Sequence, residues 1–188
     1  LSFLSDKLKF SKSTHDLFSR IDQEIRWFGK NFPSRRKIDA WLIYFMALIG
    51  PLSLNQIKTV VLRLGLSKGD SKRVIGYHQD SHKVVPFLIK KGIRPAHIFS
   101  LLEPLSYEEI ILLKSACQNK YLKKYIKDFF EIYNGMRLFV SGHDLGGLGI
   151  LPGPSYQKIF ALVLAAKLNG DLRSRSHELA LIKKLVKS

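Results

Sequence analysis

The sequence is poor in several things. It has one cysteine, Cys117, which excludes a disulfide scaffold and a cysteine-rich zinc module. No apolar run reaches the roughly 18 residues of a membrane span. The longest candidate, residues 40–54, is interrupted by Gly50-Pro51. Acidic side chains are scarce, with 15 Asp and Glu against 31 Lys and Arg, for a formal charge of +16. Only 13 Gly and 7 Pro accompany 46% hydrophobic residues, which excludes a disordered or fibrous chain. There is no phosphate-binding Walker loop, no Gly-x-Ser-x-Gly elbow, no His-Glu-x-x-His and no carboxylate cluster suited to Mg²⁺. No catalytic residue, metal site or cofactor is therefore expected in this chain. No secretory signal is recognisable. The sequence begins at Leu1 rather than Met, which reads as an excised C-terminal piece of something longer. What these absences leave is a soluble, intracellular, cytoplasmic globular chain whose charge points to a polyanionic partner, RNA before DNA before an acidic membrane.

What is present is helical periodicity. Leu17, Ile21, Ile25 and Phe28 mark a helix from about 15 to 30, and Trp41, Tyr44, Phe45 and Leu48 mark a second. Ser53 and Ser67 suit the starts of two more, stopping at Gly65 and Gly92. A short helix follows Arg94-Pro95. Ser106 with Glu109 forms a capping box. Asn119 caps a long helix whose apolar stripe runs Leu122, Tyr125, Ile126, Phe129, Phe130 and Tyr133. Pro154 suits a first helical position, and that helix runs to Gly170. Ser174 opens the last. The expected fold is all-α, about nine helices with short connections and no significant sheet, divided into a helical body at 1–135 and a helical tail at 136–188, or one continuous domain.

Charge is uneven along the chain. Residues 51–100 carry 9 basic and 2 acidic side chains, residues 151–188 carry 7 and 2, and residues 101–150 balance at 6 and 6. Lys120, Lys124 and Lys127 fall on one helical stripe, suited to tracking phosphates or to facing water. Further basic groups are Arg35-Arg36-Lys37, Lys68 with Lys72 and Arg73, Lys90-Lys91 with Arg94, and Arg173 with Arg175. Between Ser141 and Tyr156 the sequence is rich in Gly and Pro. Gly149 and Gly153 allow close backbone approach, Pro152 and Pro154 stiffen the turn, and the helix start beyond them offers free N–H groups to an anion. Lys158 lies one turn in. The same stretch also suits a purely structural interhelical turn. His78 and His82 have metal-chelating spacing but no third ligand, and read as surface histidines. Cys117 reads as core. Tyr107, Tyr121 and Tyr156 are of a type that stacks on bases.

The run Gly142-His-Asp-Leu-Gly-Gly-Leu-Gly-Ile-Leu-Pro-Gly-Pro-Ser-Tyr156, continuing to Ile159 and then Leu164-Ala-Ala-Lys-Leu-Asn-Gly-Asp171 with Glu178-Leu179, resembles the C-terminal signature of the class II tRNA nucleotidyltransferase and bacterial poly(A) polymerase family. Residues 98–106 and the Lys-Lys-Tyr helix resemble long members that also carry CBS and DHH modules. The resemblance extends over roughly residues 15–187. It implies a body and tail that grip the acceptor arm and elbow of tRNA and position the RNA 3′ end. Catalysis with ATP or CTP and Mg²⁺ would lie in head and neck domains absent from this chain. The family's Gly-Gly-x-x-Arg-Asp, Asp-x-Asp and Glu-Asp-x-x-Arg motifs are missing here, and Ser34-Arg35-Arg36-Lys37 lacks the Asp of Arg-Arg-Asp. On this resemblance the RNA-contacting candidates are Lys120, Lys124, Lys127, Gly149, Gly153, Pro154, Tyr156, Lys158, Arg173 and Arg175. Two other readings stand beside it: a helix-hairpin-helix-like DNA-binding module, and an interaction domain that binds no nucleic acid.

Overall fold

Serine hydroxyls start many of the helices. The protein is described here by a computed structural model over residues 11–186. The ten α-helices of the described residues are α1 Lys12–Asn31, α2 Ala40–Leu48, α3 Leu54–Arg63, α4 Lys68–Leu88, α5 Pro95–Leu102, α6 Tyr107–Ala116, α7 Lys120–Asp128, α8 Gly142–Gly147, α9 Pro154–Leu168 and α10 Arg175–Val186. A π-helical turn, Phe129–Tyr133, follows α7 directly, and no strand occurs among the described residues. The all-α expectation holds. Ser11, Ser53, Ser67 and Ser106 each accept the N–H of the residue three further on, which satisfies a donor that a helix start otherwise leaves open. At Ser53 and Ser106 the third residue, Gln56 or Glu109, accepts the serine N–H in return, completing a capping box.

The chain divides into two units. The first holds residues 11–91 and 102–126, the second residues 92–101 and 127–186, and the division falls inside α7. In the first unit α6 is the central element. Ile110, Ile111, Leu112 and Leu113 are all buried, so this helix is enclosed on every side rather than amphipathic. It packs against α1, α2 and α4, and α3 packs against α4. Ile21, Leu42, Ile43, Met46, Ile57 and Val74 supply the facing core. In the second unit Val140, Leu145, Val163 and Ile182 form the buried centre, with Ile159, Phe160 and Leu179 packed around them. There α9 packs on α10. Gly170, with φ +88°, ends α9: its N–H reaches the Lys167 carbonyl and the Asp171 N–H reaches that of Ala166, a closure that needs a left-handed residue.

Three elements differ from the sequence reading. The helix opened by Ser67 ends at Leu88, not Gly92, and Pro86, which has no N–H to donate, sits in its last turn. The long helix after Asn119 changes to π geometry at Phe129, with the Asn134 N–H bonded to the Phe129 carbonyl at 2.8 Å. The wider turn accompanies burial of Phe129, Phe130 and Tyr133 together. The Gly-rich stretch read as a plain turn contains α8. There Asp144 accepts the Ser141 N–H at 2.8 Å, and Tyr156 lies against Gly142 and Gly146. Capping and packing outweigh the poor helix propensity of glycine.

Candidate nucleic-acid interface

The fold sorts the basic residues into those used internally and those left on the surface. Arg36 forks onto Glu108 with bonds of 2.8 and 2.6 Å. Glu108 is fully buried and also accepts the Asp39 N–H at 2.9 Å. Arg73 lies 3.1 Å from the same carboxylate and binds Asp39 at 2.7 Å and Asp70 at 2.5 Å. Burial would raise the Glu108 pKa, but the Arg36 hydrogen bonds, the Asp39 N–H and the nearby charge bring it down to about 2. Lys114 pairs with Glu24 at 2.7 Å and lies 3.2 Å from the centre of the Trp27 ring. Two of the basic groups singled out in the sequence thus give up a member to the architecture, Arg36 from one and Arg73 from the other.

The α7 stripe behaves differently. Lys120, Lys124 and Lys127 are exposed, while Leu122, Tyr125 and Ile126 are buried on the other side of the helix. Lys120 stands 5.3 Å from the Tyr121 ring, and Lys127 is 3.8 Å from Glu131, a pair worth little in water. Lys158 and Arg173 are exposed in the second unit.

The hairpin candidates play distinct parts. Gly149 has φ +78°, and an added Cβ there would meet nothing within 4 Å. It is needed for backbone conformation, not for close approach within the chain. Gly153 is extended, with open space around it, and Pro154 is the first residue of α9. Tyr156 donates its hydroxyl to the Ile150 carbonyl at 3.0 Å, and its ring meets Phe160 edge-on at 6.1 Å. Arg175 pairs with Asp144. The Ser141 N–H, then the Ser141 hydroxyl and the Arg175 charge, lower the Asp144 pKa.

The residue whose role sequence reasoning missed here is Glu178, noted only as part of the C-terminal signature. It is fully buried and accepts the N–H groups of Phe139 and Val140 at 2.8 and 3.0 Å. It also pairs with Lys167 at 2.8 Å. It therefore anchors the stretch of chain that leads into α8 and the hairpin. Its placement in an otherwise amphipathic helix was the available signal. Of the two histidines singled out, His82 is exposed, as a surface residue, whereas His78 is half-buried, and His78 Nε2 lacks a partner among the described residues. Burial lowers the His78 pKa more than the Met46 backbone bond raises it. Cys117 is half-buried at the end of α6. Among the described residues no group of three His, Cys, Asp or Glu could hold a metal, and no helix is long and apolar enough to cross a membrane.

No family model matches the chain. Its whole length aligns at 25% identity with an A-adding tRNA nucleotidyltransferase of Geobacter sulfurreducens, of which it spans 22%. The chain is related to the tRNA nucleotidyltransferases. The solved structures it resembles agree in fold. A Thermotoga maritima CCA-adding enzyme complexed with tRNA superposes with a TM-score of 0.74 at 17% identity, over 97% of this chain and 44% of that one. A CCA-adding enzyme complexed with CTP gives 0.72 at 16% identity, over 98% and 43%. The chain thus spans less than half the length of each of these relatives.

Proposed function

We propose that this chain is the tRNA-binding helical region of a tRNA nucleotidyltransferase. It would hold the acceptor arm and elbow while a head and neck elsewhere in the longer protein add nucleotides from ATP or CTP with Mg²⁺, in the cytoplasm. The observation that carries this reading is the end-to-end similarity to an A-adding tRNA nucleotidyltransferase. The fold shared with a tRNA-bound enzyme and the surface positions of Lys120, Lys127, Lys158 and Arg173 support it. An A-form helix hides its base edges in a deep groove, so its recognition rests on phosphates, 2′-hydroxyls and shape. Distributed lysines and arginines on rigid helices suit that task.

Fluorescence anisotropy with labelled tRNA tests the reading. Affinity is expected to fall steeply as salt rises. The double variant Lys120→Glu with Lys124→Glu is expected to flatten the log–log salt slope by about 2, one unit for each phosphate no longer neutralised. Absence of tRNA binding at low salt overturns the reading. Competition by duplex DNA as strong as that by tRNA replaces it with the DNA-binding alternative.

A further inference from the structure

Helix α2 has no charged face. None of its nine residues, Ala40–Leu48, is charged. Leu42, Ile43 and Met46 are fully buried where α2 packs on α1, α4 and α6 of the first unit. The opposite side carries Trp41, Tyr44, Phe45 and Leu48, at spacings of three and four that align them in one stripe. Trp41 is 50% exposed, and the other three are half-buried. The Trp41 and Phe45 rings lie 6.2 Å apart along it. A helix that is apolar all round belongs inside a core, and an exposed stripe of large apolar side chains marks a surface that meets a partner. The chain as a whole carries +16, but beside Tyr44 the α1 edge of this stripe holds one charge of each sign. The Tyr44 ring meets Phe18 edge-on at 5.0 Å, and its hydroxyl donates to Asp22. Burial and the Asp22 bond push the Tyr44 hydroxyl pKa up to about 12, and Arg26, one turn further along α1, opposes them. Asp22 and Arg26 are both exposed.

We propose that this stripe is a self-association surface, on which a second copy of the chain seats its own α2 in antiparallel orientation. Within one copy α1 and α2 run antiparallel, joined by the loop 32–39, with Tyr44 beside Phe18 and Asp22. One two-fold axis can therefore serve both helices. Centred between Tyr44 and Phe45, it brings Trp41 of each copy over Leu48 of the other, with the Tyr44 and Phe45 rings together in the middle. On α1 the same axis passes between Asp22 and Arg26, so Asp22 of each copy faces Arg26 of the other. A closed two-fold contact needs a patch complementary to itself, and an apolar stripe edged by one acid and one base meets that need. The two ion pairs lie at the rim, where they set register more than affinity. The stripe supplies the affinity by leaving water. A nucleic acid would find no cation on α2 itself. The net charge of +16 opposes association, but salt screens it, with a Debye length of about 8 Å at physiological ionic strength. Association therefore strengthens as salt rises, opposite to the tRNA binding proposed above.

Sedimentation equilibrium of the chain at low and at moderate salt tests this. A reversible dimer is expected, tighter at the higher salt. Trp41→Glu is expected to weaken it by roughly tenfold or more at unchanged melting temperature. Arg26→Glu and Asp22→Lys are each expected to weaken it less, because each sets like charges face to face across the axis. Mixing these two variants restores both attractive pairs, so the mixture is expected to dimerise more tightly than either variant alone. A monomer at both salts, or a dimer indifferent to Trp41→Glu, overturns the proposal. A mixture no tighter than its parts overturns the two-fold pairing. A tRNA titration of Trp41→Glu identifies the other occupants. If the chain is monomeric and this variant weakens tRNA binding, the stripe belongs to RNA. If the chain is monomeric and tRNA binding is unchanged, another part of the longer protein covers the stripe. In both cases self-association fails while the tRNA reading stands. A salt-strengthened dimer that binds no tRNA supports self-association and removes the tRNA reading.

Discussion

Among the described residues each unit buries one carboxylate completely, and the two are compensated in different ways. In the first unit Glu108 is met by two guanidiniums, Arg36 and Arg73, and by one backbone N–H. In the second, Glu178 is met by one ammonium, Lys167, and by two backbone N–H groups. Arg36 precedes α2, Arg73 sits on α4 and Glu108 on α6, so the first arrangement ties three separate segments of the unit to one point. The second ties the non-helical stretch of Phe139 and Val140 to α10 through backbone N–H groups and reaches α9 only through the Lys167 ammonium. A rigid planar fork suits the first task, because it can bridge elements while staying in plane with the carboxylate. A compact ammonium suits the second, because it supplies charge while the backbone supplies direction. The Lys167 ammonium also lies 3.5 Å from the centre of the Phe139 ring, adding a cation–π contact to the same anchor.

The comparison predicts a ranking. Glu108→Ala leaves two arginines without their shared acceptor and is expected to cost about 4 kcal/mol. Glu178→Ala leaves one lysine and two amides, for about 2–3 kcal/mol. Urea unfolding of both variants checks the order, and a larger loss at Glu178 reverses it. Acid titration then isolates the first centre. The Glu108 carboxyl titrates at about 2 in the fold against 4.5 ordinarily. The unfolded chain therefore binds the proton more readily, and the stabilisation is present above pH 4.5 and lost as pH falls toward 2. Wild type is expected to lose stability across that window and Glu108→Gln to lose much less; parallel curves would assign the acid sensitivity elsewhere. The smallest effect separates two glycines of the hairpin. Gly149→Ala places a side chain at φ +78° and is expected to cost about 1 kcal/mol, while Gly153→Ala, in extended backbone and open space, is expected to be nearly neutral. Thermal melts of the two variants measure the difference.

Much of the fold could be read from the chain because its signals are local. Ser53, Ser106 with Glu109, Pro154 and Gly170 act within four residues of themselves, so capping and stop chemistry placed those ends correctly. The apolar stripe of α7 was legible for the same reason. Helix α8 was not, because its glycines read as a turn until Tyr156, ten residues or more away in sequence, packs onto Gly142 and Gly146. The sorting of the basic residues was also hidden. Arg36 and Glu108 are 72 positions apart, and nothing near Arg36 in the sequence distinguishes it from Lys37.

Composition and spacing by themselves determined that this protein is helical, strongly basic and built around continuous apolar stripes, since helix periodicity and capping are properties of short segments. The Gly142–Ile159 signature pointed to the relatives found for it. Only the tertiary structure decided which charges are available to a partner. Arg36, Arg73, Lys114 and Lys167 are bound to buried or half-buried carboxylates within their own units, while Lys120 and Lys158 remain on the surface. The physical reason is that burying a charge is tolerable only when an opposite charge and hydrogen bonds meet it there, and those partners come from segments that only folding brings together.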